Sequence, residues 1–148
     1  TAIPVLQYNG TALPFADHVF STVLLVDVLH HTPNPQAVLQ ECARVCRENI
    51  LIKDHFAETR VDLLFLKLLD WVGNRPHGVQ LPYNYFSRKQ WREMLTASNL
   101  KENDRTEKIA GLYPIFFQQL IGEKIQFMSN LTKNAMEHDS TAAILRQK

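Results

Sequence analysis

The residues best equipped for chemistry stand at the ends of two apolar runs. Val23-Leu24-Leu25-Val26 leads into Asp27-Val28-Leu29-His30-His31, and the strand holding Ile50-Leu51-Ile52 ends on Asp54-His55. Imidazole titrates near neutrality, and a neighbouring carboxylate orients and tunes it, so these groupings are acid–base equipment. His30, His31, Asp54 and His55 are therefore the candidate catalytic residues. Adjacent side chains of an extended chain point apart, so His30 and His31 do not make a joint metal pair. With no third ligand in range, no metal site is assigned. Lining a reaction site and serving as a cap or solvent-facing group are equal readings for this histidine pair. Asp27 is either a contact for a bound ligand or an ordinary strand-end acid. Further on, Trp71, His77, Tyr83 and Tyr85 can stack on a planar or apolar ligand. The plainer reading makes them a core or lid cluster.

The elements that must position these groups follow from the patterning. A run of consecutive apolar residues, without alternation, fits a strand covered on both faces in a parallel α/β sheet. Such a sheet binds ligands beyond the carboxyl ends of its strands. Thr32-Pro33-Asn34-Pro35 breaks the chain between the two runs, with Asn34 a good helix cap and Pro35 a good first helical residue. Val38, Leu39, Cys42, Val45 and Cys46 then give a helix one buried face. Strand, helix and strand make a right-handed crossover, which sets Asp54-His55 beside the end of the first run. Glu58 to Val72 reads as a helix with a stripe of Val61, Leu64, Phe65, Leu68, Leu69 and Val72, widened by Leu63 and Leu66; a helix this apolar is well covered or closes over a site. Ser87-Arg88-Lys89-Gln90 is a capping box that opens a helix running to about Ser98, with Phe86 and Trp91 as its hydrophobic staple. Lys101 to Ile109 and Lys124 to Leu131 read as strands, with an apolar insertion, Gly111 to Gly122, between them.

The ordered set Leu13-Pro14-Phe15, Phe20-Ser21, Val23 to Val26, Val28 to His31, Asn34-Pro35 and Glu41-Cys42-Ala43-Arg44-Val45 resembles the middle of a class I S-adenosylmethionine (SAM)-dependent methyltransferase. That family usually has Asp where Ser21 and Asn34 stand. The resemblance implies an α/β fold: a partial Rossmann-like sheet, mostly parallel with one antiparallel C-terminal strand, and helices on both faces. It implies SAM as cofactor and a small-molecule acceptor of the methyl group. It makes Ile3 to Tyr8 the third strand of the sheet and brings Asn9 and Gly10 to the adenine, although a surface Asn-Gly turn is an equal reading. Asp27, Val28 and Leu29 complete the implied cofactor-binding set, and Trp71, His77, Tyr83 and Tyr85 fall on the substrate side. Asp70 to Asn74, His77-Gly78-Val79 and Leu81 to Tyr85 resemble the substrate-side insertion of a bacterial subgroup. The family's glycine-rich turn has no counterpart, because no two of Gly10, Gly73, Gly78, Gly111 and Gly122 stand at G-x-G spacing. Its ribose-binding acid cannot be assigned either. The resemblance thus covers the C-terminal two-thirds of a domain, residues 1–131. Substrate-side insertions fall at about 58–86 and 110–123, and residues 132–148 form a polar tail. A start at Thr1 rather than Met suggests that an N-terminal part lies outside this sequence.

Composition bounds the rest. The 148 residues are 45% hydrophobic and 21% charged, which suits one globular domain. A net charge of +1 gives no electrostatic reason to expect nucleic acid or an anionic membrane as partner. No apolar run reaches the roughly 18 residues of a membrane span. Cys42 and Cys46, the two cysteines, read as small buried apolar groups and fit a reducing cytoplasm. Without a strand-one neighbour, full exposure of Val23 to Val26 would forfeit roughly 6–12 kcal/mol, comparable with a whole domain's stability of about 5–15 kcal/mol. The edge of the 22–27 strand is therefore expected to be covered by Ile3 to Tyr8 folding back, by a second copy in a homo-oligomer, or by residues outside the sequence. Two functions stand: a SAM-dependent methyltransferase, or a non-catalytic remnant of that fold serving as a dimerisation or interaction module.

Overall fold

A computed structural model describes residues 3–8, 10, 12–78, 81–107, 109 and 125–134. Among these, seven elements follow one another: β1 (Phe20–Val26), α1 (Pro35–Val45), β2 (Cys46–His55), α2 (Arg60–Asn74), α3 (Arg88–Ala97), β3 (Leu100–Thr106) and β4 (Gln126–Lys133). Short 3-10 turns occupy Leu29–His31 and Arg75–His77. The strand order is β1-β2-β4-β3. β1 is parallel to β2, and β4 is antiparallel to both of its neighbours. Three strands thus run one way and β4 the other, the mostly parallel sheet with one reversed C-terminal strand that the resemblance implied. The insertion at Gly111 to Gly122, Asn9 and residues 135–148 lie outside the described residues.

Local chemistry explains the helix starts. The Asn34 side chain accepts from the Ala37 N–H at 3.1 Å, with Pro35 opening α1. At α3 the capping box is complete: the Gln90 N–H donates to Ser87 Oγ at 3.3 Å and the Ser87 N–H to Gln90 Oε1 at 2.8 Å. The Phe86 and Trp91 rings stack 5.6 Å apart as the staple requires. α2 starts at Arg60 rather than Glu58, because Thr59 caps it. Asp62 N–H donates to Thr59 Oγ1 at 3.1 Å, and Asp62 Oδ2 accepts from the Thr59 N–H at 2.8 Å.

The core lies between one face of the sheet and the α1–α3 pair. Gln36 of α1 donates to Met94 O and to Ser98 Oγ at the end of α3, at 3.3 and 2.6 Å. Leu25, Ile50, Ile52, Phe127 and Leu131 face inward against Leu39, Cys42, Trp91 and Leu95. The register aligns Leu24 with Leu51, and Val26 with Lys53 and Met128, on the opposite face. There Leu24 is 63% and Val26 53% exposed, and Leu51 and Met128 are exposed too.

Two expectations are corrected. The Val23 to Val26 run is not a strand covered on both faces: β1 lies at the sheet edge and hydrogen-bonds β2 alone among the described residues. Nor is Ile3 to Tyr8 a strand, since no ladder includes residues 3–8 and Ile3 and Val5 are 86% and 90% exposed. An apolar run reports that side chains want cover; it does not report that a neighbouring strand is there to supply it. α2 inverts its expectation as well: only Leu66 is buried, while Val61, Leu64, Leu68, Trp71 and Val72 face outward.

The Leu13-Pro14-Phe15 segment is tied down by α1. Arg44 donates from Nε and Nη2 to the two Glu41 oxygens, both at 2.8 Å. It also reaches Phe15 O at 2.8 Å, Leu13 O at 3.0 Å and Asp17 Oδ1 at 2.7 Å. Glu41 accepts the Leu13 N–H at 2.8 Å. These contacts hold Glu41 below the usual carboxylate range and the Arg44 guanidinium above its own. No helix among the described residues is long and apolar enough to cross a membrane.

Candidate functional site

The parallel β1–β2 pair ends in a network of acids, imidazoles and a tyrosine. Asp54, the inward-facing residue near the end of β2, is completely buried. Its Oδ1 accepts from His30 Nδ1 at 2.6 Å and from the His55 N–H at 2.8 Å, and its Oδ2 accepts the Leu29 N–H at 3.0 Å. One carboxylate thus joins the end of β2 to the turn after β1. On the other side of His30, Nε2 lies 3.6 Å from Asp70 Oδ2 of α2. The Tyr85 hydroxyl donates to that same oxygen, and the Tyr85 ring stacks on His30 at 4.9 Å. Tyr83 has a positive φ of 56°, rare for a bulky residue. The next residue, Asn84, donates its N–H to His30 O at 3.1 Å and its Nδ2 to Thr32 O at 2.7 Å, which fixes the loop that brings Tyr85 onto the imidazole.

A second group lies beside the first. Asp27, which also has a positive φ, is held through both oxygens by Lys53 Nζ at 2.6 and 2.8 Å. His55 Nδ1 is 3.3 Å from Asp27 Oδ1, yet neither His55 ring nitrogen makes a hydrogen bond among the described residues.

The three histidines differ in charge state for physical reasons. Burial opposes a proton on His30, but the Asp54 hydrogen bond and the charges of Asp54, Asp70 and Asp27 outweigh it and raise its pKa. Burial, and then the Lys53 charge, push His55 down to about 3, so it stays neutral. His31 is lowered by burial and by His30 beside it. It is only half-buried. His31 is thus biased toward the neutral imidazole, with Nδ1 buried and unpartnered among the described residues, while the Asp54 contact favours a proton on His30. Burial and then Asp70 hold the Tyr85 hydroxyl well above its ordinary pKa, so it remains a donor.

The candidate residues divide accordingly. His30, His31, Asp54, His55, Asp27 and Tyr85 converge. Trp71 lies on the outward face of α2 and His77 is exposed in the following turn, both away from this cluster, and Tyr83 is half-buried under Lys67 Nζ at 5.4 Å. Leu29 is fully buried and contributes its N–H to Asp54. Sequence reasoning missed Asp70, Lys53 and Asn84. For Asp70 there was a signal: an acid set between Leu68-Leu69 and Trp71-Val72.

Donor atoms of Asp27, His30, Asp54 and His55 lie within 4.8 Å of one another, as do those of His30, His31 and Asp70, which corrects the expectation that His30 and His31 point apart with no third ligand in range. The carboxylates of the first set are already engaged within the chain, however: Asp27 by Lys53 Nζ and Asp54 by His30 Nδ1.

Gly10 and Val28 line a separate cavity of 210 Å³ between β1 and α1, with Tyr8, Leu24, Val38 and Glu41 among its walls. Gly10 has φ +80° there, and a Cβ would meet nothing within 4 Å, so the space beside it is open. The volume is below the roughly 300–1,000 Å³ of a complete small-molecule site. It suits one end of a nucleoside cofactor. The glycine turn and ribose-binding acid that would hold the remainder have no counterpart among the described residues. A wider groove of 440 Å³ runs between the start of α1 and α3, bordered by Pro33, Gln36, Asn84, Tyr85 and Met94.

Comparison with known proteins gives a consistent picture. A family model described as a methyltransferase domain matches residues 1–52. The phosphatidylethanolamine N-methyltransferase of Cereibacter sphaeroides is 36% identical over 56 residues, which are 36% of this chain and 28% of that protein. The chain therefore spans little more than a quarter of that relative. Among solved structures, a SAM-dependent methyltransferase from Thermotoga maritima superposes with a TM-score of 0.58 at 15% identity, covering 89% of this chain and 65% of that one. A Haloferax volcanii protein solved in complex with the Trm112 methyltransferase activator gives a TM-score of 0.65 at 15% identity, covering 88% and 61%.

Proposed function

We propose, starting from a chain that has the class I SAM-dependent methyltransferase fold and matches that family over its first 52 residues, that it contributes the acceptor side of a SAM-dependent methyl transfer. The observation that carries this reading is the acid–imidazole–tyrosine network at the carboxyl ends of β1 and β2, where an open α/β sheet places its ligand. When bound, SAM would supply an electrophilic methyl group. Tyr8, Gly10 and Val28 would form the wall of the cavity that receives one end of it.

The chain's own residues divide the remaining work. Asp54 and His30 position the turn after β1. That turn presents His31, neutral at physiological pH, to take a proton from the acceptor. Tyr85, fixed by Asp70, closes the site over His30 and borders the 440 Å³ groove through which an acceptor would enter. The acceptor itself is a small molecule or a lipid-borne amine. The latter is favoured by the relative that acts on phosphatidylethanolamine. Free, buried Cys42 and Cys46 support a reducing, cytoplasmic setting.

Titration calorimetry of the 148-residue chain with SAM tests the reading. Saturable heat that survives in a His31→Gln variant, with transfer of labelled methyl to phosphatidylethanolamine lost in that variant, is the expected pattern. Methyl transfer that His31→Gln leaves unchanged would overturn it.

The open edge of β1 and the exposed Leu24, Val26, Leu51 and Met128 favour a second reading, an interaction module that pairs with another copy through the 22–27 strand. Sedimentation showing a dimer that Leu24→Lys dissociates, with no cofactor binding, would select this reading over the first.

A further inference from the structure

We propose that the outward face of α2 is an interfacial helix face that seats the domain on an anionic phospholipid surface. α2 leaves more of its apolar surface outside than it buries. Its inward side carries Asp70, which contacts His30 and Tyr85, and Leu66, its one buried residue. Asp62 is occupied in the N-terminal cap. The outward side is an unbroken apolar arc: Val61 is 75% and Leu64 69% exposed, and Leu68, Trp71 and Val72 are exposed as well. Positions 61, 64, 68, 71 and 72 fall on one stripe at helical spacing. A monomeric protein rarely turns such a stripe to water without a use for it.

Charge and dimensions decide between occupants. The charged residues that end the helix at this arc are basic, Arg60 at its start and Arg75 just past its end, both exposed, while Glu58 before Arg60 is paired with Arg88. The Arg75 guanidinium lies 5.1 Å over the Trp71 ring, placing a cation and an amphipathic aromatic at one level, as at a membrane–water boundary. The acids of the helix point the other way, so the face complements an anionic surface although the whole chain carries only +1. Fifteen residues make a rod of about 22 Å, too short for the roughly 30 Å of a bilayer core, so the helix lies in the plane of the surface. Five side chains on one such helix also fall short of the roughly 800 Å² per partner that a stable dimer buries. The proposal does not depend on methyl transfer, because it concerns where the domain sits and not what it catalyses.

The test is flotation of the 148-residue chain with phosphatidylcholine vesicles containing about 30% phosphatidylglycerol, against pure phosphatidylcholine. The expected result is binding to the anionic vesicles that weakens with salt. Leu64→Glu/Leu68→Glu should reduce it by a factor of ten or more, roughly, and Arg60→Gln and Arg75→Gln by about fivefold each. A lipid-induced blue shift of fluorescence should disappear in Trp71→Phe while buried Trp91 remains. Both leucines are exposed, so the double variant should melt within about 3 °C of the parent. A larger fall would show the face to be covered within the chain, and a dimer dissolved by the same variant would show it to be covered by a second copy. Either result overturns the proposal, as does equal binding by all variants or no binding to anionic vesicles.

Discussion

Replacing Asp54 by alanine should uncouple the two strand ends that make the site. The carboxylate satisfies three buried donors: His30 Nδ1–H, the Leu29 N–H and the His55 N–H. Each buried donor left without a partner costs about 1–3 kcal/mol. The three share one acceptor group and can relax together, so the losses do not simply add. Removing one partner of a buried ion pair costs about 3–5 kcal/mol as a whole, and that is the expected loss here. Against a domain stability of about 5–15 kcal/mol it is large but survivable. Asp54→Asn should cost nearly as much, because its NH2 would face one of those donors.

The assay has two independent readouts. In urea, followed by the fluorescence of buried Trp91, an m-value of roughly 2 kcal/mol/M converts the loss into a midpoint lowered by about 2 M. NMR titration should show the His30 pKa falling below its ordinary value. His55 is the internal precedent: equally enclosed, it has no carboxylate bonded to its ring and is pushed down to about 3. A midpoint shift under about 0.5 M together with a His30 pKa that stays raised would refute the reasoning, since both results would mean that Asp54 does not hold the imidazole in solution.

Three further outcomes follow from the same geometry. Between pH 6.5 and about 3 the unfolded chain protonates His55 while the folded chain does not, so stability should fall with falling pH by about 1.4 kcal/mol per unit. His30, raised in the fold, contributes stability below 6.5 that is lost as pH rises through its folded pKa. Stability should thus peak near pH 6.5 in urea titrations across pH, and His55→Leu should flatten the acid limb alone. Arg44→Met should free the 13–15 segment, seen as faster amide exchange at Leu13 and Phe15 with β2 protection unchanged; unchanged exchange at Leu13 would count against the anchor. Ser87→Ala removes the N-cap of α3 and should cost about 1 kcal/mol in chemical denaturation, with Ser87→Thr neutral within a few tenths.

What could be read from the sequence was what local rules encode. Asn34-Pro35 and Ser87 to Gln90 announce helix starts because caps are satisfied within three residues of chain. The crossover placed Asp54-His55 beside Asp27 and the histidine pair because a parallel connection has one favoured hand. The open edge of β1 followed from the missing glycine-rich turn and its strand, but what covers that strand was not legible in this way. Strand neighbours are a non-local fact, and the Val23 to Val26 run is equally apolar at an edge or in an interior. α2 shows the same limit from the other side. Its periodicity identified the residues that share a face, but the face that turns inward is fixed by Leu66 and by the contacts of Asp70 with His30 and Tyr85. Glu41 and Arg44 were visible as part of a familiar order of residues, while their grip on Leu13 and Phe15 was invisible until the 13–17 segment was placed against α1.

The pleat of β2 explains why the site has two halves that answer to different parts of the molecule. Asp54 shares its face with Ile50 and Ile52, so the His30–Asp54 contact stands on the packed core beneath α1 and α3. Lys53 and His55 alternate onto the other face with Leu51 and, across the ladder, Met128. The Asp27–Lys53 pair therefore belongs to the side of the sheet that is exposed farther from the strand ends. Anything that covers Leu24, Leu51 and Met128 would desolvate Lys53 and its carboxylate and strengthen their attraction. It would leave the His30–Asp54 bond, already dry, as it is. The positioning of the turn after β1 is thus intrinsic to the described core, while the charge balance around Asp27 and His55 is the part of the candidate site that an added strand, a second copy or a partner can still set.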